Sequence, residues 1–320
     1  MALKHGVPQG SVLGPLLFTL YISPIEDLIL ANGIDCMFYA DDSQLYLTLN
    51  KASLPSSKIA TLEKCLHDIK RWTVENKLFL NNSKTDVIHL HSKFGKNPSV
   101  ISKLSVSNSE IVPTGKVRNL GVIFDQHMTM KDHVSNISKS ASYALYNISK
   151  IRKYLDSSTT ERLVHAFISS RLDSCNSLLF GLPGSELDRL QLIQNSAARL
   201  VLKSKKSDHV TPLLYDLHWL PVKFRIVYKM CLIMYKISRD MAPAYLCELV
   251  KQYKPTRCLR SSSKSLYTVP SARVKAFGDR AFAIAGPKTW NSLPEDLKVA
   301  ENFDIFKTKL KTHLFKLAYQ

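Results

Sequence analysis

Two adjacent carboxylates, Asp41 and Asp42, stand between two stretches of strand character, and few local structures accommodate that arrangement. Residues 34–39 are short and mostly apolar. After the pair, Leu45, Leu47 and Leu49 alternate with Tyr46 and Thr48, the period-two pattern of a half-buried strand. The pattern predicts a β-hairpin with Asp41 and Asp42 at its tip. Neighbouring carboxylates repel, and both stay ionised easily only with positive charge beside them. A divalent cation satisfies that need, and oxygen ligands suit Mg²⁺, which binds through one or two carboxylates plus substrate phosphates. A solvated turn is the plainer account of an isolated Asp-Asp; the flanking strands and the aromatic Phe38 and Tyr39 favour the cation.

Periodicity organises the rest. Apolar residues at helical spacing predict helices over 11–22, with Val12, Leu13, Leu16, Leu17 and Leu20 on one face and Pro15 in the first turn, and over 57–76, with Ile59, Leu62, Leu66 and Ile69 inward. Residues 81–84 read as a turn, 86–90 as a strand, 92–116 as a loop or loose hairpin, and 117–124 as a strand. His89 and His91 share a face of the predicted strand; with no third or fourth ligand in view they read as structural. Helices follow from Thr129, with Asp132 as a capping partner, over 159–172, and from about Ser185 to Leu200. Residues 222–237 are rich in apolar side chains. The end, with Phe303, Phe306, Leu310, Leu314 and Leu317, is an amphipathic helix bearing Lys307, Lys309, Lys311 and Lys316.

The motifs carry a resemblance. Tyr39-Ala40-Asp41-Asp42 resembles the catalytic hairpin of reverse transcriptases. Gly6-Val7-Pro8-Gln9-Gly10-Ser11-Val12-Leu13-Gly14-Pro15-Leu16-Leu17-Phe18 resembles the block that precedes it in LINE-type (non-LTR) retrotransposon polymerases, in matching order and spacing. The resemblance implies an α+β fold: a partial polymerase palm over 1–125 (an antiparallel sheet with helices), an α-helical thumb-like bundle over 126–206, and a mostly helical basic C-terminal region over 207–320 with a linker at about 251–280. It implies RNA-templated DNA synthesis by two-metal nucleotidyl transfer. Asp41 is then the main metal ligand and Asp42 a secondary one. Mg²⁺ or Mn²⁺ is the cofactor of a complete active site, and an RNA template, a DNA primer and deoxynucleoside triphosphates are the partners.

Other positions follow by the same likeness. Gln9 and Gly10 would lie beside the templating base pair and incoming nucleotide, where Gly permits close backbone approach and Gln both donates and accepts. Tyr39 would pack near the primer end, or simply pack on its strand. Lys84 matches a lysine able to protonate the leaving pyrophosphate, which is general-acid work, or it is merely solvated. Asn119, Leu120 and Gly121 resemble the primer grip. Basic residues of the thumb, Lys131, Lys139, Lys150, Arg152 and Lys153 among them, would hold the phosphate backbone. In the family a further essential aspartate comes from a strand before the Gly-Pro-Gln block, and five residues precede Gly6 here. The expectation is an incomplete metal clamp and a chain that does not polymerise alone. The alternatives are a non-enzymatic nucleic-acid-binding protein or a pseudogene product without function.

Charge bears on the partner. Residues 1–100 carry 10 Lys+Arg against 9 Asp+Glu, so +17 of the net +18 lies in the remaining 220 residues. Excess of that size favours a polyanion, nucleic acid first and an acidic membrane second. Residues 251–280 hold eight Lys+Arg against Asp279 alone, and read as a basic linker in which Tyr253, Tyr267 and Phe277 are available to stack on bases. The six cysteines are scattered without a Cys-x-x-Cys, which fits reduced thiols in an intracellular protein. The expected compartment is nucleus or cytoplasm, not secreted, with no apolar run approaching the ~20 residues that span a bilayer.

Overall fold

The computed structural model describes residues 7–8, 10–49, 55–93, 103–106, 109–254, 265–272 and 275–320. Gln9 and most of the 251–264 stretch lie outside these. The chain divides into two compact units, one of residues 1–117 with 125–127, the other of 118–124 with 128–320.

The first unit opens with helices α1 (Gly14–Ile22) and α2 (Pro24–Ala31), each with a proline in its first turn, where a missing N–H costs nothing. Ser23 between them keeps helical dihedrals. Gly33, at φ +69°, ends α2 and admits the chain to strands β1 (Asp35–Tyr39) and β2 (Asp42–Tyr46). Helix α3 (Pro55–Glu75) lies against α2. The short strands β3 (Leu104–Val106) and β4 (Ser109–Ile111) pair antiparallel, with Leu104 opposite Ile111. Ser105 N–H donates to Glu63 on α3 at 2.8 Å, which fixes this small hairpin on the helix. The core is Ile25, Ile29, Ile34, Cys65, Leu66, Ile69, Leu104 and Val106. Each large apolar side chain so buried contributes about 1.5–3 kcal/mol.

Two expectations for this unit need correction. No strand forms over 86–90: Val87 accepts from Thr114 N–H and His91 N–H donates to Gln126, single bonds at the two ends that do not build a ladder. The apolar face of α1 is not core either. None of its residues is buried, and Val12, just before it, is 93% exposed. Gly14–Ala31 is, by length and composition alone, apolar enough to cross a membrane, with mean hydropathy 1.3 over 18 residues. That amends the reading that no such stretch exists, although Pro24 divides it and Glu26 and Asp27 interrupt it.

Strands β5 (Lys116–Asn119) and β6 (Val122–Asp125) form the hairpin at which the chain passes from one unit to the other. Residues 117–124 are thus two strands and a turn rather than one strand. Leu120 and Gly121 occupy the turn at φ +46° and +84°. Two positive φ values match the twist of flanking strands in a two-residue loop.

The second unit is helical. Helices α4 (Lys131–Ile151), α5 (Ser157–Val164), α6 (Ser170–Asp173) and α7 (Gly184–Leu202) come first, with α5 passing into α6 through a π turn at His165–Ser169. Asp156 caps α5, its carboxylate accepting from Thr159 N–H at 2.6 Å. Met130, in the left-handed region and buried, takes the cap position of α4, one residue after Thr129, whose Oγ1 accepts from Lys131 N–H at 3.4 Å. Helices α8 (Val210–Asp216), α9 (Val222–Ser238), α10 (Ala244–Cys247), α11 (Lys275–Gly278), α12 (Phe282–Asn291), α13 (Glu295–Lys298) and α14 (Phe303–Tyr319) follow.

Helix α9 serves two cores. Its first turns give Val222 and Ile226 to a cluster with Val134, Ile137, Leu190, Ala197 and Trp219. Its later turns give Cys231, Met234 and Tyr235 to a cluster with Trp290, Phe306, Leu310 and Leu314. Tyr235 stacks on Phe306 with centroids 4.3 Å apart and donates its hydroxyl to Ala300 O at 3.0 Å. Gly286 lets α12 approach α9: a Cβ there would stand 2.8 Å from Met234 Sδ.

The described ends of the predicted linker are ordered by hydrogen bonds. Tyr253 N–H donates to Leu266, Thr268 N–H to Lys251, and Asn291 bonds both the N–H and the C=O of Tyr267. Tyr267 is half-buried with its ring edge-on to Trp290, so it is not a free stacking platform.

Candidate active-site hairpin

Strands β1 and β2 pair antiparallel in the register Asp35 to Tyr46 and Tyr39 to Asp42. Burial alternates along β1: Cys36 and Phe38 turn toward the core, while Asp35, Met37 and Tyr39 face out. That alternation fixes the register, because a one-residue slip would turn the apolar set to water. Ala40 and Asp41 form the turn, with Ala40 at φ +54°. A left-handed conformation costs a non-glycine residue about 1–2 kcal/mol. It makes the reversal tight enough that Asp41 and Asp42 follow one another at the tip, both exposed.

The base of the hairpin is acidic, and its Cys36 is half-buried. Burial pushes the Cys36 thiol up, assisted by the Glu26 and Asp35 carboxylates, and burial also raises the Tyr46 phenol. Cys65, fully buried beneath, is pushed up to about 11 by burial and is inert as a nucleophile. The tip and the base therefore differ in kind: hard oxygen ligands in water at one end, a packed neutral thiol at the other.

Tyr39, Asp41 and Asp42 are brought together by the hairpin, with Tyr39 66% exposed and not engaged in strand packing. Gly10 lies in the same unit, in a turn closed by Ser11 N–H to Pro8 O, at φ +88°, a conformation that favours glycine. Lys84 ends a 3-10 turn at Asn82–Lys84, capped by Asn81, and is exposed. It shares no hydrogen bond or ion pair with either aspartate among the described residues. Asn119, Leu120 and Gly121 belong to the other unit, as the turn end of the β5–β6 hairpin. His89 and His91 are neighbours with centroids 5.2 Å apart, and His91 meets His127 edge-on at 4.6 Å. Among the described residues no group of three or more His, Cys, Asp or Glu is placed to hold a metal. The Asp41–Asp42 pair nevertheless fits a hard divalent cation by donor chemistry, since such ions are often held by one or two carboxylates with water and substrate oxygens completing the shell.

One basic residue was misjudged from sequence. Arg152 is 6% exposed, not a solvent-facing cation. Its guanidinium donates to the carbonyls of Leu200, Leu155 and Val201 at 2.6–2.8 Å, tying the end of α4 to the end of α7.

A hairpin with two aspartates at its tip, carried beside helices on small antiparallel sheets, is consistent with part of a polymerase palm. Residues 1–124 match the family model of reverse transcriptase (RNA-dependent DNA polymerase). The relatives the chain resembles are RNA-directed DNA polymerases of LINE-type, non-LTR mobile elements. It is 25% identical over 143 residues to the RNA-directed DNA polymerase from mobile element jockey of Drosophila funebris, covering 43% of this chain and 15% of that protein. It is 27% identical over 146 residues to the jockey polymerase of Drosophila melanogaster, covering 42% of this chain and 14% of that protein. It is 26% identical over 204 residues to the probable RNA-directed DNA polymerase from transposon X-element of Drosophila melanogaster, covering 61% of this chain and 21% of that protein. The chain thus spans about a fifth or less of these relatives. No solved structure matches it.

Proposed function

We propose that the chain is the portion of a retrotransposon reverse transcriptase that carries the metal-binding hairpin, and that its parent activity is RNA-templated extension of a DNA primer with deoxynucleoside triphosphates. The observation that carries this is the exposed Asp41–Asp42 tip inside the segment that matches the family. Asp41 is the main ligand and Asp42 the secondary one for Mg²⁺ or Mn²⁺. When bound, the ions lower the cost of ionising the attacking hydroxyl and neutralise charge on the transferring phosphate. The chain's own part is to hold the two carboxylates in one place on a rigid ribbon. Tyr39, beside them and open to water, borders the primer end. Gln9 and Gly10 border the nucleotide, and Asn119–Leu120–Gly121 form the primer grip. Helices α4 to α7 act as the thumb. Two-metal transfer needs more ligands than this pair, so Asp41 and Asp42 supply a share of the clamp.

Two measurements test the assignment. In a Mn²⁺ titration followed by electron paramagnetic resonance, the expected outcome is a weak site present in the wild type and lost in Asp41→Ala/Asp42→Ala. An unchanged isotherm in that variant removes the metal role. Incorporation of labelled nucleotide on a primed RNA, lost in Asp41→Ala, would extend the reading to full catalysis by this chain. The large positive charge after residue 100 supports a second reading, nucleic-acid binding without catalysis. That reading expects salt-sensitive binding to primed duplex that survives Asp41→Ala.

A further inference from the structure

We propose that the outward face of α4 is a stacking surface for single-stranded nucleic acid. Helix α4 is two-sided. Val134, Ile137, Ala141, Ala144 and Ile148 are buried in the core of the second unit. On the opposite side Lys139, Tyr143, Tyr146 and Lys150 recur at intervals of four, three and four, which aligns them along one stripe. Tyr143 is 69% exposed and Tyr146 56%, and Tyr154, in the 3-10 turn that follows, is 76% exposed.

Three phenol rings left in water at that level are not explained by folding, since a tyrosine gains stability by burying its ring. Their setting is selective. Lys150 Nζ stands 4.3 Å from the centroid of Tyr146, and Lys153 Nζ stands 4.7 Å from that of Tyr154. No carboxylate occurs between Asp132 and Asp156. The stripe's other neighbours are polar and exposed, Ser142, Asn147 and Ser149 among them. Cations over exposed aromatic rings, in a stretch of sequence free of carboxylates, suit a ligand that is anionic along its backbone and aromatic along its length.

The single strand is favoured over duplex for a physical reason. A duplex hides its base faces in its own stack and would engage only the lysines, whereas unpaired bases present π-faces to the rings. Tyr143 and Tyr146 are separated by a helical rise of roughly 4.5 Å, and bases along one strand by about 3.4 Å when stacked, so neighbouring bases can reach both. The proposal stands on α4 and the turn after it, and does not need Asp41 or Asp42.

The test is fluorescence anisotropy of the full chain with a labelled all-uridine RNA and with a duplex of equal length. The expected result is that Tyr143→Ala/Tyr146→Ala/Tyr154→Ala weakens single-strand binding at least about tenfold and leaves duplex binding nearly unchanged. The matching phenylalanine variant should keep most of the affinity. Wild-type binding that ignores the alanine changes, equal loss on duplex, equal loss in the phenylalanine variant, or no wild-type binding to the single strand would each overturn the proposal. Tyr143→Trp gives an independent reading: emission quenched by the RNA beyond the wild-type change supports contact, and its absence refutes it. Failure of the metal titration with success here removes the polymerase reading alone.

Discussion

Arg152 shows how far a residue's chemistry depends on its place. Buried, its guanidinium satisfies three main-chain carbonyls at once and also reaches Ser157 Oγ at 3.2 Å. Replacing it with methionine strands those acceptors, and a buried unsatisfied group costs about 1–3 kcal/mol. Arg152→Met is expected to lower stability by about 3 kcal/mol, read as a lower urea midpoint, and Arg152→Lys to recover only part of it because an ammonium cannot fork. His133 makes the pH counterpart. It is 4% exposed, its Nδ1 accepts from Ile123 N–H at 3.4 Å, and burial holds its pKa below the ordinary imidazole value. The unfolded chain takes up a proton at that position first, so the contribution is complete above about pH 6.5 and lost as pH falls through and below it. Stability should fall between neutral pH and about pH 5.5, and His133→Gln should flatten that fall. At the hairpin the two aspartates were legible from sequence because strands flank them. Ala40 was not, since nothing in alanine announces a left-handed backbone.

At the scale of elements, periodicity located the helices that have one dry face. Helices α3, α7 and α14 begin and end within a few residues of where their apolar spacing places them. It failed where the cause was not periodic. Residues 86–90 read as a strand but pair with no strand among the described residues. Helices α12 and α13 went unread because Gly286 and Pro287 inside the first look like loop punctuation, and only the proximity of Met234 reveals why glycine stands there. The β5–β6 turn carries a similar mismatch. Leu120 adopts φ +46°, which asparagine or glycine adopts at lower cost. Leu120→Asn should therefore raise the melting temperature, equivalent to a gain of about 1 kcal/mol. No gain would mean that the half-exposed leucine side chain offsets its backbone cost by contacts it makes.

For the molecule as a whole, charge and apolar surface pull in different directions. A net charge of +18 draws polyanions over distance and keeps copies of the chain apart in dilute buffer. The α1 region does the reverse. Val12, Leu13, Leu16 and Leu20 are each more than half exposed, and apolar surface on that scale drives self-association. Dissolved salt shortens the repulsion to a range of about 8–10 Å at physiological strength and leaves the apolar attraction intact. The protein is thus a colloid stabilised by its own electric double layer. Scattered light should be low in dilute buffer and rise with added sodium chloride, and Leu16→Lys/Leu20→Lys should keep it low. Purification in high salt, the habitual remedy for a basic protein contaminated by nucleic acid, would then be the condition under which this one clouds.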